Sequence, residues 1–81
     1  MVGLTFFDRK ARLLLMLGML NDVYADTAST VVNLRDFMSS HPEMREEIEE
    51  FGLNDLLSSA TEFEKRVLEV MEKLKAELYR T

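Results

Sequence analysis

Acidic side chains are the residues of this sequence best placed to do chemistry. Glu46-Glu47-Ile48-Glu49-Glu50 holds two carboxylate pairs three residues apart, and Glu43 extends the series. On a helix that spacing sets acids on one face, the arrangement that lets carboxylates bridge a divalent cation and a phosphate. A second polar strip, Asp22, Asp26 and Asn33 with Ser29 and Thr30 nearby, shares one side of a long amphipathic segment. Facing a symmetry mate, it would hold a cation between chains; exposed or paired with basic side chains, it would be an ordinary surface. His41 stands alone before Pro42 and reads as a turn or helix-capping residue, with no neighbouring carboxylate to orient it as a base. The serines (29, 39, 40, 58, 59) have no glycine-flanked elbow, and Gly3, Gly18 and Gly52 form no phosphate loop. Catalytic residues, cofactors and metal ligands are therefore all assigned as none.

The Glu46–Glu50 stretch resembles the first acidic motif of the all-α nucleoside triphosphate pyrophosphohydrolases of the MazG type. The resemblance spans about five residues and implies a Mg²⁺-dependent helical hydrolase. That family's second motif, Glu-x-x-Asp on a following helix, has only Glu69-x-x-Glu72 as its counterpart here. No lysine-rich or aromatic base-binding set accompanies it. A small metal-dependent all-α hydrolase or ligand-binding bundle is thus the alternative function, with acidic residues at a subunit interface.

Composition narrows the classes further. The chain has 81 residues, 47% hydrophobic and 31% charged, with no cysteine, no tryptophan and one histidine. A disulfide framework, a thiolate zinc site and a cysteine nucleophile are excluded. The net charge of −5 lies wholly in residues 41–81, with six basic and eleven acidic side chains, while residues 1–40 cancel. Only Arg9-Lys10-Ala11-Arg12 offers clustered positive charge, so a nucleic-acid-associated regulator ranks third. That cluster followed by the apolar run Leu13–Leu20 looks like a targeting signal, but Asp8 and Asn21-Asp22 interrupt it. Eight apolar residues cannot span a bilayer, which needs about 20. A cytoplasmic location is expected. Glutamine is absent alongside cysteine, a depletion of the kind seen in thermophiles.

Three helices must position these residues, over about 6–38, 43–50 and 54–79. In the first, Thr5 is the expected cap. Phe6, Leu13, Leu17, Leu20, Tyr24, Thr27 or Ala28, Val31, Leu34 and Met38 recur at spacings of three and four. The β-branched, polar stretch Asp26–Val32 is its weakest part. Ser40 and Glu43 have capping-box spacing, Gly52 is placed to close the short helix, and Asn54 to cap the last one. In the last helix Leu56, Leu57, Ala60, Phe63, Val67, Val70, Met71, Leu74 and Leu78 make a broad apolar face, with Ser58, Ser59 and Thr61 as caps for a later start. Its other face pairs Glu62 with Arg66, Glu69 with Lys73, Glu72 with Lys75 and Glu77 with Arg80.

The expected fold is an all-α, long antiparallel helical hairpin with a short connecting helix, in one domain. Residues 13–17 are apolar in succession, and Met16, Met19 and Val23 add a second stripe. One hairpin cannot cover them all, because each long helix buries a single face. The hairpin is therefore expected to dimerise into a four-helix-type bundle through Leu13, Leu14, Met16, Leu17, Leu20 and Tyr24. A heterologous helical partner and a membrane surface follow as further candidates. The function read from the sequence is a small structural or protein-interaction module that self-associates.

Overall fold

The computed structural model describes residues 8–80, and they form a helical hairpin. Helix α1 spans Arg9–Ser40, a 3-10 turn spans Pro42–Met44, α2 spans Arg45–Glu50 and α3 spans Leu53–Arg80. The two long helices pack antiparallel, and the turn and α2 close the tip.

Helix α1 starts at Arg9 because Asp8 caps it. The Asp8 backbone is extended (ψ 177), and its carboxylate accepts from the Ala11 N–H at 2.8 Å. The expected start near residue 6 and its cap Thr5 lie outside the described residues. The polar stretch in mid-helix does not break it. Thr27 donates to the Val23 carbonyl at 2.7 Å and Thr30 to that of Asp26 at 3.0 Å. These hydroxyls satisfy themselves on the turn before, so the polar groups cost the helix little.

Termination falls at Ser40 because Pro42 disfavours helical geometry in His41, whose φ and ψ are −127 and 62. The capping box expected from Ser40 and Glu43 does not form: Ser40 still belongs to α1, and the 3-10 turn has no side-chain cap. His41 closes the C-terminal end of α1. Its Nδ1 lies 2.9 Å from the Phe37 carbonyl oxygen, which can only accept, and its ring stacks on Phe37 at 4.4 Å. One of the open carbonyls at the end of α1 is thereby satisfied.

Phe51 and Gly52 join α2 to α3, and Gly52 makes the turn. At φ 75 it takes the left-handed conformation, its N–H donates to the Glu49 carbonyl at 3.3 Å, and its own carbonyl accepts from Leu56 at 3.0 Å. Asn54 is consequently not the cap of α3, which has already begun at Leu53. Nor does Thr61 cap a later start; its hydroxyl donates to the Leu57 carbonyl at 2.8 Å within a continuous helix.

The buried and half-buried positions of α1 are Leu13, Leu17, Leu20, Tyr24, Thr27, Val31, Leu34 and Met38, with a few neighbours. Their spacing alternates four and three without exception. In α3 the same alternation runs through Leu53, Leu57, Ala60, Glu64, Val67, Met71, Leu74 and Leu78. Such a heptad seam is what two supercoiling helices present to each other. Leu13, Val31, Val67 and Met71 are its buried centre, and Ile48 of α2 plugs the tip. At the open end Arg9 pairs with Glu77 across the seam at 3.3 Å. Two of the expected pairs along α3 also close, Glu72–Lys75 at 3.6 Å and Glu77–Arg80 at 3.8 Å.

The two glycines make opposite predictions in chemical denaturation. Gly52→Ala is expected to destabilise the hairpin by about 1 kcal/mol, because a Cβ is penalised in the left-handed region. Gly18 lies inside α1 in open space, and a Cβ added there would meet nothing within 4 Å. Gly18→Ala is therefore expected to stabilise the hairpin by about 0.5–1 kcal/mol.

Candidate interaction surface

The acidic residues are not assembled into a site. On α2 only Ile48 turns inward, while Glu46, Glu47, Glu49 and Glu50 are exposed, as is Glu43. Asp22, Asp26 and Asn33 are likewise exposed on α1. Among the described residues no group of three or more His, Asp or Glu side chains is close enough to hold a metal ion. At the tip, Met38, His41, Arg45, Ile48, Glu49 and Asn54 line an open cleft of about 390 Å³. His41 is turned to the Phe37 carbonyl there, so the cleft holds no oriented acid–base pair. The basic run at the start of α1 is reduced as an anion site by the Arg9–Glu77 pair. Among the described residues no helix is long and apolar enough to cross a membrane.

What the hairpin does present is apolar surface. Leu13, Leu17, Leu20 and Tyr24 lie in the seam with α3, whereas Leu14 and Met16 are 51% and 43% exposed. Met16 belongs to a column of residues that each precede a seam position: Met16, Val23, Thr30 and Phe37 on α1. Leu56, Phe63 and Val70 form the equivalent column on α3, and they are 56%, 52% and 44% exposed. In an antiparallel pair the same heptad position falls on the same broad side of both helices. The Arg9–Glu77 ion pair marks that side, since both residues continue these two columns by seven. Stepping seven along each helix from that pair brings Met16 opposite Val70, Val23 opposite Phe63 and Thr30 opposite Leu56. Met19, also exposed, widens the strip.

The opposite broad side is different. The positions that follow the seam residues are Leu14, Asn21, Ala28 and Arg35 on α1 and Asn54, Thr61, Leu68 and Lys75 on α3. Polar and small side chains dominate there. The hairpin therefore has one apolar side and one mixed side. Leu56, Phe63 and Val70 read in sequence as part of the α3 face against α1; their seven-residue spacing was the available sign of a separate column.

The chain's accessible surface is 6301 Å², against about 5000 Å² for a compact monomer of this mass. Its radius of gyration is 18.3 Å, where about 12 Å is usual for a compact domain of this length. The excess surface exceeds the roughly 800 Å² that each partner contributes to a standard protein interface.

Because the carboxylates stay apart, millimolar Mg²⁺, Mn²⁺ or Ca²⁺ is expected to leave the melting temperature unchanged. A ligand bound only by the folded state must raise it, so a metal-dependent rise in a melting curve would restore the metal reading.

No family model and no solved structure matches the chain. A relative is found in Archaeoglobus fulgidus, described as an uncharacterized protein. It is 48% identical over 68 residues, which cover 84% of this chain and 90% of the relative. With nearly half the residues shared over most of both lengths, the chain belongs to one family with that Archaeoglobus fulgidus protein.

Proposed function

We propose that this chain is a structural or protein-interaction module that works by self-association, two hairpins packing into a four-helix bundle. The observation that carries the reading is the apolar column beside the seam on both long helices. A two-stranded coil needs apolar residues only at the seam, and its flanking positions are usually charged. A helix in a larger bundle carries a third apolar position per heptad; here Met16, Val23 and Phe37 supply it on α1, with Thr30 as the polar exception, and Leu56, Phe63 and Val70 supply it on α3. The adaptable methionines Met16 and Met19 on that side also suit a heterologous helix, which is the second reading.

Static light scattering at micromolar concentration tests the proposal. The expected mass is twice 9.4 kDa. Met16→Glu should move the mass toward one chain, because it places a charge on a surface that must be desolvated. The exposed change Glu69→Gln should leave it where it was. A wild-type mass of one chain at that concentration would refute self-association and leave the heterologous partner.

A further inference from the structure

We infer that the occupant of the apolar side is a second copy of this chain lying reversed, its tip beside the other copy's open end. The inference rests on the self-association proposed above and adds the face and the orientation.

The face follows from the paired columns. Met16–Val70, Val23–Phe63 and Thr30–Leu56 succeed one another at seven-residue steps, giving three cross-helix pairs with Val23–Phe63 in the middle. A two-fold axis running between the two layers, across the hairpins at the level of Val23 and Phe63, lays each outer pair over the opposite outer pair of the other copy. Such an interface is isologous and closes at two chains. It also calls on the right amount of surface, since the area in excess of a compact monomer exceeds one partner's share of a standard interface.

The orientation follows from charge. Residues 8–21 and 64–80 build the open half of the hairpin and hold eight basic and five acidic side chains, net +3. Residues 22–63 build the tip half and hold two basic and ten acidic side chains, net −8. Stacked in the same direction, two hairpins would set −8 beside −8. Reversed, each acidic tip lies along the other copy's basic end, and the two tips stand about 40 Å apart, far beyond the screening distance of about 8–10 Å. Electrostatic complementarity of this kind selects one orientation against another even where it adds little affinity.

The absence of cysteine makes the test direct. A spin label on Glu50→Cys, exposed on α2 at the tip, should give a label-to-label distance of about 40 Å, because at 1.5 Å per helical residue Glu50 stands roughly 20 Å along the hairpin from the axis at Val23 and Phe63. A distance of about 20 Å, two helix diameters, would overturn the reversed orientation. The face is tested in the full chain by sedimentation equilibrium. Phe63→Glu should raise the dimer dissociation constant on the order of 100-fold or more, since the change enters twice at the centre of the interface. Leu56→Glu, in the same column, repeats the test should Phe63→Glu lose the helical circular dichroism of the wild type. Leu14→Glu, on the mixed side, should leave the constant within a few-fold. A dimer that survives both column variants, or one that Leu14→Glu dissociates, overturns the face while self-association stands. A wild-type monomer removes both proposals together.

Discussion

Two helices joined by a short tip have one seam between them, and every other feature of this molecule answers to that constraint. A seam between two helices takes two positions in seven from each, so most of each long helix stays in solvent. Here the seam is regular over eight positions on both sides, yet only Leu13, Val31, Val67 and Met71 along it are buried, and none completely. Full burial of such a side chain contributes about 1.5–3 kcal/mol, while ordering each backbone residue costs about 1–2 kcal/mol. Half-buried seam residues contribute less than the full amount. Single-layer hairpins of this size are consequently marginal unless more apolar surface is covered, which small domains achieve by oligomerisation where they lack disulfides or metals.

Folding also rearranges the charge. Along the chain the acidic excess sits in residues 41–81, and the first forty residues are neutral. Bending the chain at Pro42 and Gly52 brings the start of α1 beside the end of α3, and with it eight of the ten basic residues. The acids of α2 and of the middle of α1 are left at the other end. A sequence that reads as neutral then acidic becomes a hairpin that is basic at its open end and acidic at its tip. Arg9–Glu77 is the local expression of this, a cross-seam pair between exposed and half-buried groups whose energy is modest. Its larger value is as a register mark, because it fixes which columns of α1 and α3 share a side.

Much of the hairpin was legible in the residues themselves. Pro42 and Gly52 announced the two ends of the connection, each through a backbone restriction that no tertiary contact can override. The three-and-four spacing of Leu13 to Met38 announced the seam. Caps were harder, since several polar residues competed for each end: Asp8 caps α1, the Ser40–Glu43 box is lost because α1 runs on through Ser40, and Gly52 leaves Asn54 nothing to cap. Thr27 and Thr30 lie in the weakest stretch of the first helix, and their hydroxyls return to the preceding turn. The surface was harder still. Both the seam residue Val67 and the flanking residue Val70 are valines on one broad face; the seven-residue column that Val70 shares with Leu56 and Phe63 hints at their difference, and the register of α1 against α3 establishes it.

That separation changes how apolar excess on α1 is understood. Leu13 through Leu17 cover most of the helix circumference, but they do not ask for one thing. Leu13 and Leu17 are satisfied within the chain, and Met16 continues a column that α3 extends through Val70. Leu14 and Leu15 have no such continuation: Leu14 is followed at seven-residue steps by Asn21, Ala28 and Arg35, and Leu15 by Asp22, Ser29 and Asp36. An apolar residue whose column turns polar after one heptad is a local exposure of the ordinary kind. Columns that stay apolar over two or three heptads on both helices, on the same side, are the pattern of a surface meant to be covered. Persistence along a column, more than the count of apolar residues around one turn, distinguishes the two.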